Sequence, residues 1–146
     1  MLIRNYKKDD YPAIEKLWNE TGIADENRKD SAESVEKCLE TGGCFLVMED
    51  EKTGTIIGTS WITFDGRRMY LHHFCIKPSY QGLGYGNELT EASLAYLKDM
   101  GYQVKLEVHA DNVAAIKLYE KYGFFRFKDY NIYMIRDIEG IPDRKS

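Results

Sequence analysis

No C-x-x-C pair occurs in this 146-residue chain, and its cysteines, Cys38, Cys44 and Cys75, are odd in number. That argues against a disulfide framework and against a zinc site. Cys75 sits in an apolar strand, where a thiol reads as a small buried hydrophobe. Nor is there an apolar run near the eighteen or so residues that span a bilayer, and the start Met1-Leu2-Ile3-Arg4-Asn5 has no signal-peptide core. The expectation is a cytoplasmic protein with no membrane partner. Lys and Arg number 20 against 24 Asp and Glu, a net charge of −4, and they are scattered. Without a basic stripe, nucleic acid is excluded as a direct partner. Repeats, linkers and low-complexity stretches are lacking too, and prolines number three. What is present, 43% apolar residues, suits one packed domain, expected over 1–138 with a loose charged tail at 139–146.

Periodicity sets the order of elements. A short strand at Leu2 to Tyr6 precedes a helix with Tyr11, Ile14, Leu17 and Trp18 on one stripe. A polar loop from Thr21 to Asp30 leads to Ser31, an N-cap for a second helix that turns Val35 and Leu39 inward. Cys44 to Glu49, Thr55 to Phe64 and Met69 to Lys77 read as three antiparallel strands, with turns at Asp50 to Gly54 and at Asp65-Gly66. Pro78 stops the third. A helix from about Gly86 to Met100 carries Leu89, Ala92, Tyr96 and Leu97, then comes a strand at Tyr102 to Val108. Asp111-Asn112 opens a helix with Ala115, Ile116, Leu118 and Tyr119, and two last strands, Phe124 to Lys128 and Tyr130 to Ile138, form a hairpin about Asp129. The order βααβββαβαββ predicts an α+β or mixed α/β sheet.

Between the third strand and the third helix lies Gln81-Gly82-Leu83-Gly84-Tyr85-Gly86. A helix N-terminus presents unsatisfied N–H groups and a positive dipole end, and glycine lets a phosphate approach without a Cβ clash. The same glycines also suit a plain turn that needs positive φ. A P-loop would require Gly-Lys-Ser/Thr, but Gly86 is followed by Asn87 and Glu88. A dinucleotide fingerprint needs a third glycine where Asn87 stands, and a substrate domain for which the chain has no room.

Gln-x-x-Gly-x-Gly after an apolar strand and Pro resembles the acetyl-CoA loop of the GNAT superfamily of N-acetyltransferases. From Leu106 the run Leu-Glu-Val-His-Ala-Asp-Asn-Val-Ala-Ala-Ile-Lys-Leu-Tyr-Glu-Lys-Tyr-Gly-Phe resembles the family's next strand and its Asn-x-x-Ala-x-x-x-Tyr-x-x-x-Gly-Phe helix. The resemblance covers about Phe45 to Phe127. It implies a mostly antiparallel sheet of about seven strands with four helices, splayed between the two strands that flank the CoA-binding helix. It also implies that the backbone of Phe74, Cys75 and Ile76 pairs with the pantetheine arm and can polarise the thioester carbonyl. Gln81, Gly82, Leu83, Gly84, Tyr85, Gly86 and Asn87 would hold the pyrophosphate.

The resemblance further implies that Asn112 hydrogen-bonds the cofactor arm, although helix capping alone accounts for an Asx residue there. Tyr119 matches the tyrosine that protonates the departing thiolate, against the plain reading of an aromatic that packs. Glu107, twelve residues earlier, matches the glutamate base of the branch that acetylates ribosomal-protein N-termini, against the plain reading of an exposed strand acid. A base is needed because an ammonium has no lone pair. Deprotonating a lysine costs about 3 kcal/mol more than an α-amine at equal pH. His72 and His73, being adjacent on a strand, should face opposite sides, one of them toward the substrate cleft. His109, on the same strand as Glu107, could shuttle a proton or be merely solvated.

The implied reaction is direct transfer of acetyl from acetyl-CoA to an amine, with Glu107 as base, Tyr119 as acid, no covalent enzyme intermediate and no metal. The acceptor is a small amine, an amino-acid derivative or a protein N-terminus. Asp25, Glu26, Asp30 and Glu33 would attract a cation or simply form a solvated surface. The aromatic C-terminal hairpin would pair with a second copy, a homodimer as in many relatives. The rival reading is a CoA-binding sensor that performs no transfer.

Overall fold

A computed structural model describes residues 1–143. Five strands form one sheet in sequential order: β1 (Leu2–Asn5), β2 (Cys44–Asp50), β3 (Thr55–Phe64), β4 (Met69–Ile76) and β5 (Val104–Leu106). All neighbours are antiparallel except β4 and β5, which run parallel because a helix connects them. The helices are α1 (Tyr11–Thr21), α2 (Ala32–Glu40), α3 (Tyr85–Met100) and α4 (Val113–Lys121). None of them is long and apolar enough to cross a membrane.

Alternation along β2 and β3 sorts side chains into two cores. Phe45, Val47 and Trp61 meet Ile14, Leu17 and Trp18 of α1 and Val35 of α2. Leu46, Met48 and Ile62 meet Leu89 and Leu97 of α3 and Tyr119 of α4. Each fully buried aliphatic residue contributes about 1.5–3 kcal/mol, so both helix layers are held by the sheet more than by their own propensity.

Local signals placed most elements. Ser31 Oγ accepts from Ser34 N at 3.1 Å and caps α2. Asp65 Oδ1 accepts from the amides of Arg67 and Arg68, at 2.8 and 2.6 Å, and closes the β3–β4 hairpin. Three expectations are corrected. Leu39 is not inward. It is 37% exposed, because nine-residue α2 lays Val35 and Cys38, three apart, on the sheet. The strand expected at Tyr102 to Val108 is only Val104–Leu106.

Third, the sheet has five strands, not about seven, because among the described residues no strand lies beyond α4. Phe124 to Ile138 has the composition of a hairpin, but Lys128-Asp129 lacks the glycine that a tight two-residue hairpin turn favours. Three-residue β5 also offers little edge to pair with, and an isolated hairpin is marginal in water. Residues 144–146 of the expected tail lie outside the described residues.

Candidate active site

β4 and β5 pair only at Met69↔Val104, Tyr70↔Lys105 and Leu71↔Leu106. Beyond Leu71, β4 runs on to Ile76 while β5 has ended, so the strands part. Phe74, Cys75 and Ile76 occupy that stretch, with β3 along one side (Thr59↔Cys75, Gly58↔Ile76) and, among the described residues, no strand along the other. One edge of backbone donors and acceptors is thus offered to an extended ligand. Cys75 itself is buried, and burial pushes its thiol above the usual range, which disfavours the thiolate that a nucleophile needs.

The glycine loop follows directly. Gln81 Nε2 donates to the Ile76 carbonyl at 2.9 Å and ties the loop to the end of β4. Gly82 (φ +76°) and Gly84 (φ +90°) are left-handed, and a Cβ at either would meet no protein atom within 4 Å. The turn, not crowding, demands glycine there. Gly84 is the N-cap of sixteen-residue α3 and no side chain caps it, so the first-turn amides of Tyr85, Gly86 and Asn87 face outward. Leu83 is exposed at the loop's tip. Lys121 Nζ donates to Asn87 Oδ1 at 2.7 Å and brings a cation to the same helix start. Nothing in the sequence pattern singles out Lys121.

Tyr119 lies across the gap, 8% exposed, its ring centroid 6.0 Å from that of Phe74. Burial pushes its phenol up to about 12, so it keeps its proton throughout the neutral range. Glu107 follows Leu106, the last paired residue of β5, and is exposed. Asn112 caps α4, its Oδ1 accepting from Ala115 N at 3.2 Å, which leaves its amide nitrogen for other partners. His109 is exposed, its Nδ1 accepting from Asp111 N at 3.1 Å. The structure thus brings Phe74, Tyr119 and the loop to one gap, with Glu107 at its margin.

The histidines do not take opposite faces. Between Thr59↔Cys75 and Trp61↔His72, β3 advances two residues and β4 three, a β-bulge. His73 takes φ +46°, a left-handed conformation that costs a side-chain-bearing residue about 1–2 kcal/mol. The extra residue breaks the alternation, and both imidazoles lie beside Trp61, at centroid distances of 6.4 Å for His72 and 5.4 Å for His73. The bulge is held from beneath: Trp18 Nε1 donates to Thr59 Oγ1 at 3.0 Å, and Thr59 Oγ1 donates to the His73 carbonyl at 2.7 Å.

Of the four acidic residues, Asp25 caps a short turn through Asn27 N, Glu33 lies 4.0 Å from Lys37, and Glu26 lines a cavity of about 410 Å³ with Asn27, Lys29, Arg136 and Asp137. Asp30 reaches His73, with 2.7 Å between Oδ2 and Nε2. Trp18, 4.5 Å from the imidazole, helps bury it, and burial draws His73 below the ordinary histidine range although Asp30 opposes this.

A mixed sheet that parts beside an uncapped helix, with a glycine turn between, defines an acetyltransferase-type fold. The acetyltransferase (GNAT) family model matches residues 11–124, and the chain belongs to that family. A mycothiol acetyltransferase of Rhodococcus erythropolis is 34% identical over 101 residues, 64% of this chain and 34% of that protein. This chain thus covers about a third of the mycothiol acetyltransferases it resembles. The N-alpha-acetyltransferase 30 of Schizosaccharomyces pombe is 41% identical over 87 residues, 59% of this chain and 51% of that protein. Among solved structures, the ribosomal-protein-S18-alanine N-acetyltransferase of Escherichia coli superposes with a TM-score of 0.70 at 23% identity, covering 84% of this chain and 76% of that one. A GNAT-family acetyltransferase of Staphylococcus aureus reaches 0.76 at 20% identity, covering 88% and 86%.

Proposed function

We propose that this protein transfers acetyl from acetyl-CoA to a primary amine by direct attack of the amine on the thioester. The observation that carries the reading is the parting of β4 and β5 beside the uncapped start of α3. The gap suits a pantetheine arm laid along Phe74, Cys75 and Ile76. The amides from Gly82 to Asn87 suit its pyrophosphate, with Gln81 fixing the loop and the Lys121 ammonium adding charge complementarity. Asn112 donates its amide nitrogen to the arm while its oxygen caps α4.

In this reading the nucleophile must be a free amine, so an ammonium first gives up a proton, through water, to Glu107. Tyr119, protonated at neutral pH and beside Phe74, gives its proton to the leaving sulfur. The acceptor is a small amine, an amino-acid derivative or a peptide N-terminus. The relatives named for mycothiol and for N-alpha-acetylation support the first and the last of these classes.

The test measures thiol release from acetyl-CoA with a panel of polyamines, amino acids, aminoglycosides and short peptides. Acceptor-dependent thiol is expected, and Tyr119→Phe should lower turnover about 10²-fold with CoA affinity held within twofold. Thermal stabilisation by CoA with no acceptor-dependent thiol would mark a sensor instead. Full activity in Tyr119→Phe would remove that hydroxyl from the reaction.

A further inference from the structure

The His73–Asp30 pair has no part in the steps above, yet its construction is specific. Asp30 stands 43 residues from His73 in sequence and its carboxylate meets Nε2 at 2.7 Å. The imidazole is packed by Trp18 and Trp61, at 4.5 and 5.4 Å between centroids. The backbone beneath it sits in a left-handed bulge that Thr59 and Trp18 hold. A carboxylate only accepts hydrogen bonds, so it fixes the proton on Nε2 and leaves the Nδ1 lone pair free. The two side chains are 9% and 20% exposed, sheltered but reachable from solvent.

Placement supplies the role. His73 and Phe74 are consecutive, at the stretch where β4 has left β5. Phe74 faces Tyr119 on the α3–α4 side, whereas His73 faces Asp30 and Trp18 on the α1 side. A thioester lying along Phe74 and Cys75 would therefore have a proton donor on one side of the strand and a proton acceptor on the other.

The proton balance of the proposed transfer calls for such a group. An ammonium acceptor sheds two protons on its way to an amide nitrogen. One leaves before attack and frees the lone pair. The second leaves as the C–N bond forms and the C–S bond breaks. One proton ends on sulfur by way of Tyr119, and the other goes to solvent. We propose that His73, oriented by Asp30, accepts the second proton directly from the acceptor nitrogen, as a catalytic residue distinct from Glu107. This inference rests on the acetyl-transfer reading.

The two bases differ in when they are needed. Above the amine's own pKa the first proton is already gone, so a Glu107→Gln defect should fade at high pH. A His73 defect should persist, because the second proton must still leave. The test uses His73→Asn, since asparagine tolerates a left-handed backbone better than most residues. His73→Gly is the second variant, and unfolding curves check both.

With a peptide α-amine as acceptor, whose pKa is about 8, turnover should fall about 10²-fold at pH 7 and stay depressed at pH 9.5, with CoA affinity within twofold of wild type. Asp30→Asn, which leaves the bulge residue alone, should lower turnover about tenfold. The charged and titratable groups about His73 are Asp30, Arg28 and His72, while α1 and β3 present the uncharged Trp18, Thr59 and Trp61. The neutral imidazole is the active form, so turnover declines as pH drops through its lowered pKa. Removing the Asp30 charge, which favours imidazolium, should move that acid limb to still lower pH.

Turnover within threefold of wild type in both His73 variants overturns the proposal. So does a defect confined to acceptor KM, or one that fades at high pH as for Glu107→Gln. A wild-type protein that binds CoA yet releases no thiol with any acceptor overturns the transfer reading itself, and this inference with it.

Discussion

Thr59 and Ser60 are neighbours on β3, both wholly buried, and they send their hydroxyls to opposite faces of the sheet. Thr59 joins α1 to the β4 bulge, accepting from Trp18 Nε1 and donating to the His73 carbonyl. Ser60 meets only another hydroxyl, Ser93 of α3, at 2.7 Å. One face is an aromatic layer with Trp18 and Trp61 stacked 7° from parallel, and the other is mainly aliphatic. The difference teaches how this fold divides its work. On the α3 side the proposed donor site is built of backbone amides, which need only glycines and a helix start. On the α1 side the proposed acceptor site is built of side chains, and their positions must be enforced.

The comparison breaks most visibly at Trp18. Trp18→Ala removes a side chain 2% exposed and the donor to Thr59, and should cost about 3–5 kcal/mol, read as a lower urea midpoint at unchanged slope. Turnover should fall with it, because the Thr59 hydroxyl and His73 lose their support. A loss below about 2 kcal/mol would mean that the aromatic layer adapts and does not enforce the bulge.

Thr59→Val sharpens the comparison, because shape is nearly kept while a hydroxyl is lost. Trp18 Nε1 and the His73 carbonyl are then left unpaired in a buried place, a cost of about 1–3 kcal/mol. Turnover should drop more than CoA affinity, since the donor side is untouched. Unchanged stability together with unchanged turnover would show that the bulge holds itself.

The same division decides what the sequence discloses. The glycine loop is legible because a backbone site restricts residue type: Gly82 and Gly84 are left-handed, and the next helix starts at once. Tyr119 is legible through its register with Asn112 on α4. His73 is not, because a bulge shifts period-two alternation by one residue, and no local pattern announces that Trp61 pairs with His72. Asp30 is hidden among three other acids, and only the fold separates it from Asp25, Glu26 and Glu33. The segment from Phe124 to Ile138 fails for a different reason. Its residues have strand propensity, but pairing needs an edge, and Phe125, Tyr130 and Tyr133 remain exposed. Propensity is local and an edge is not.

Ser60 supplies the smallest effect and the cleanest control. Ser60→Ala combined with Ser93→Ala removes both members of a buried pair, and paired removal leaves no orphaned hydroxyl. Ser93 Oγ also donates to the Leu89 carbonyl at 2.8 Å, but that carbonyl lies inside α3, where a helical N–H also serves it. The double variant should therefore stay within about 1 kcal/mol of wild type, with turnover and CoA affinity unchanged. If it costs as much as Thr59→Val, a buried hydroxyl is equally dear on either face. Thr59 would then owe its importance to burial alone, and not to the bulge that carries His73.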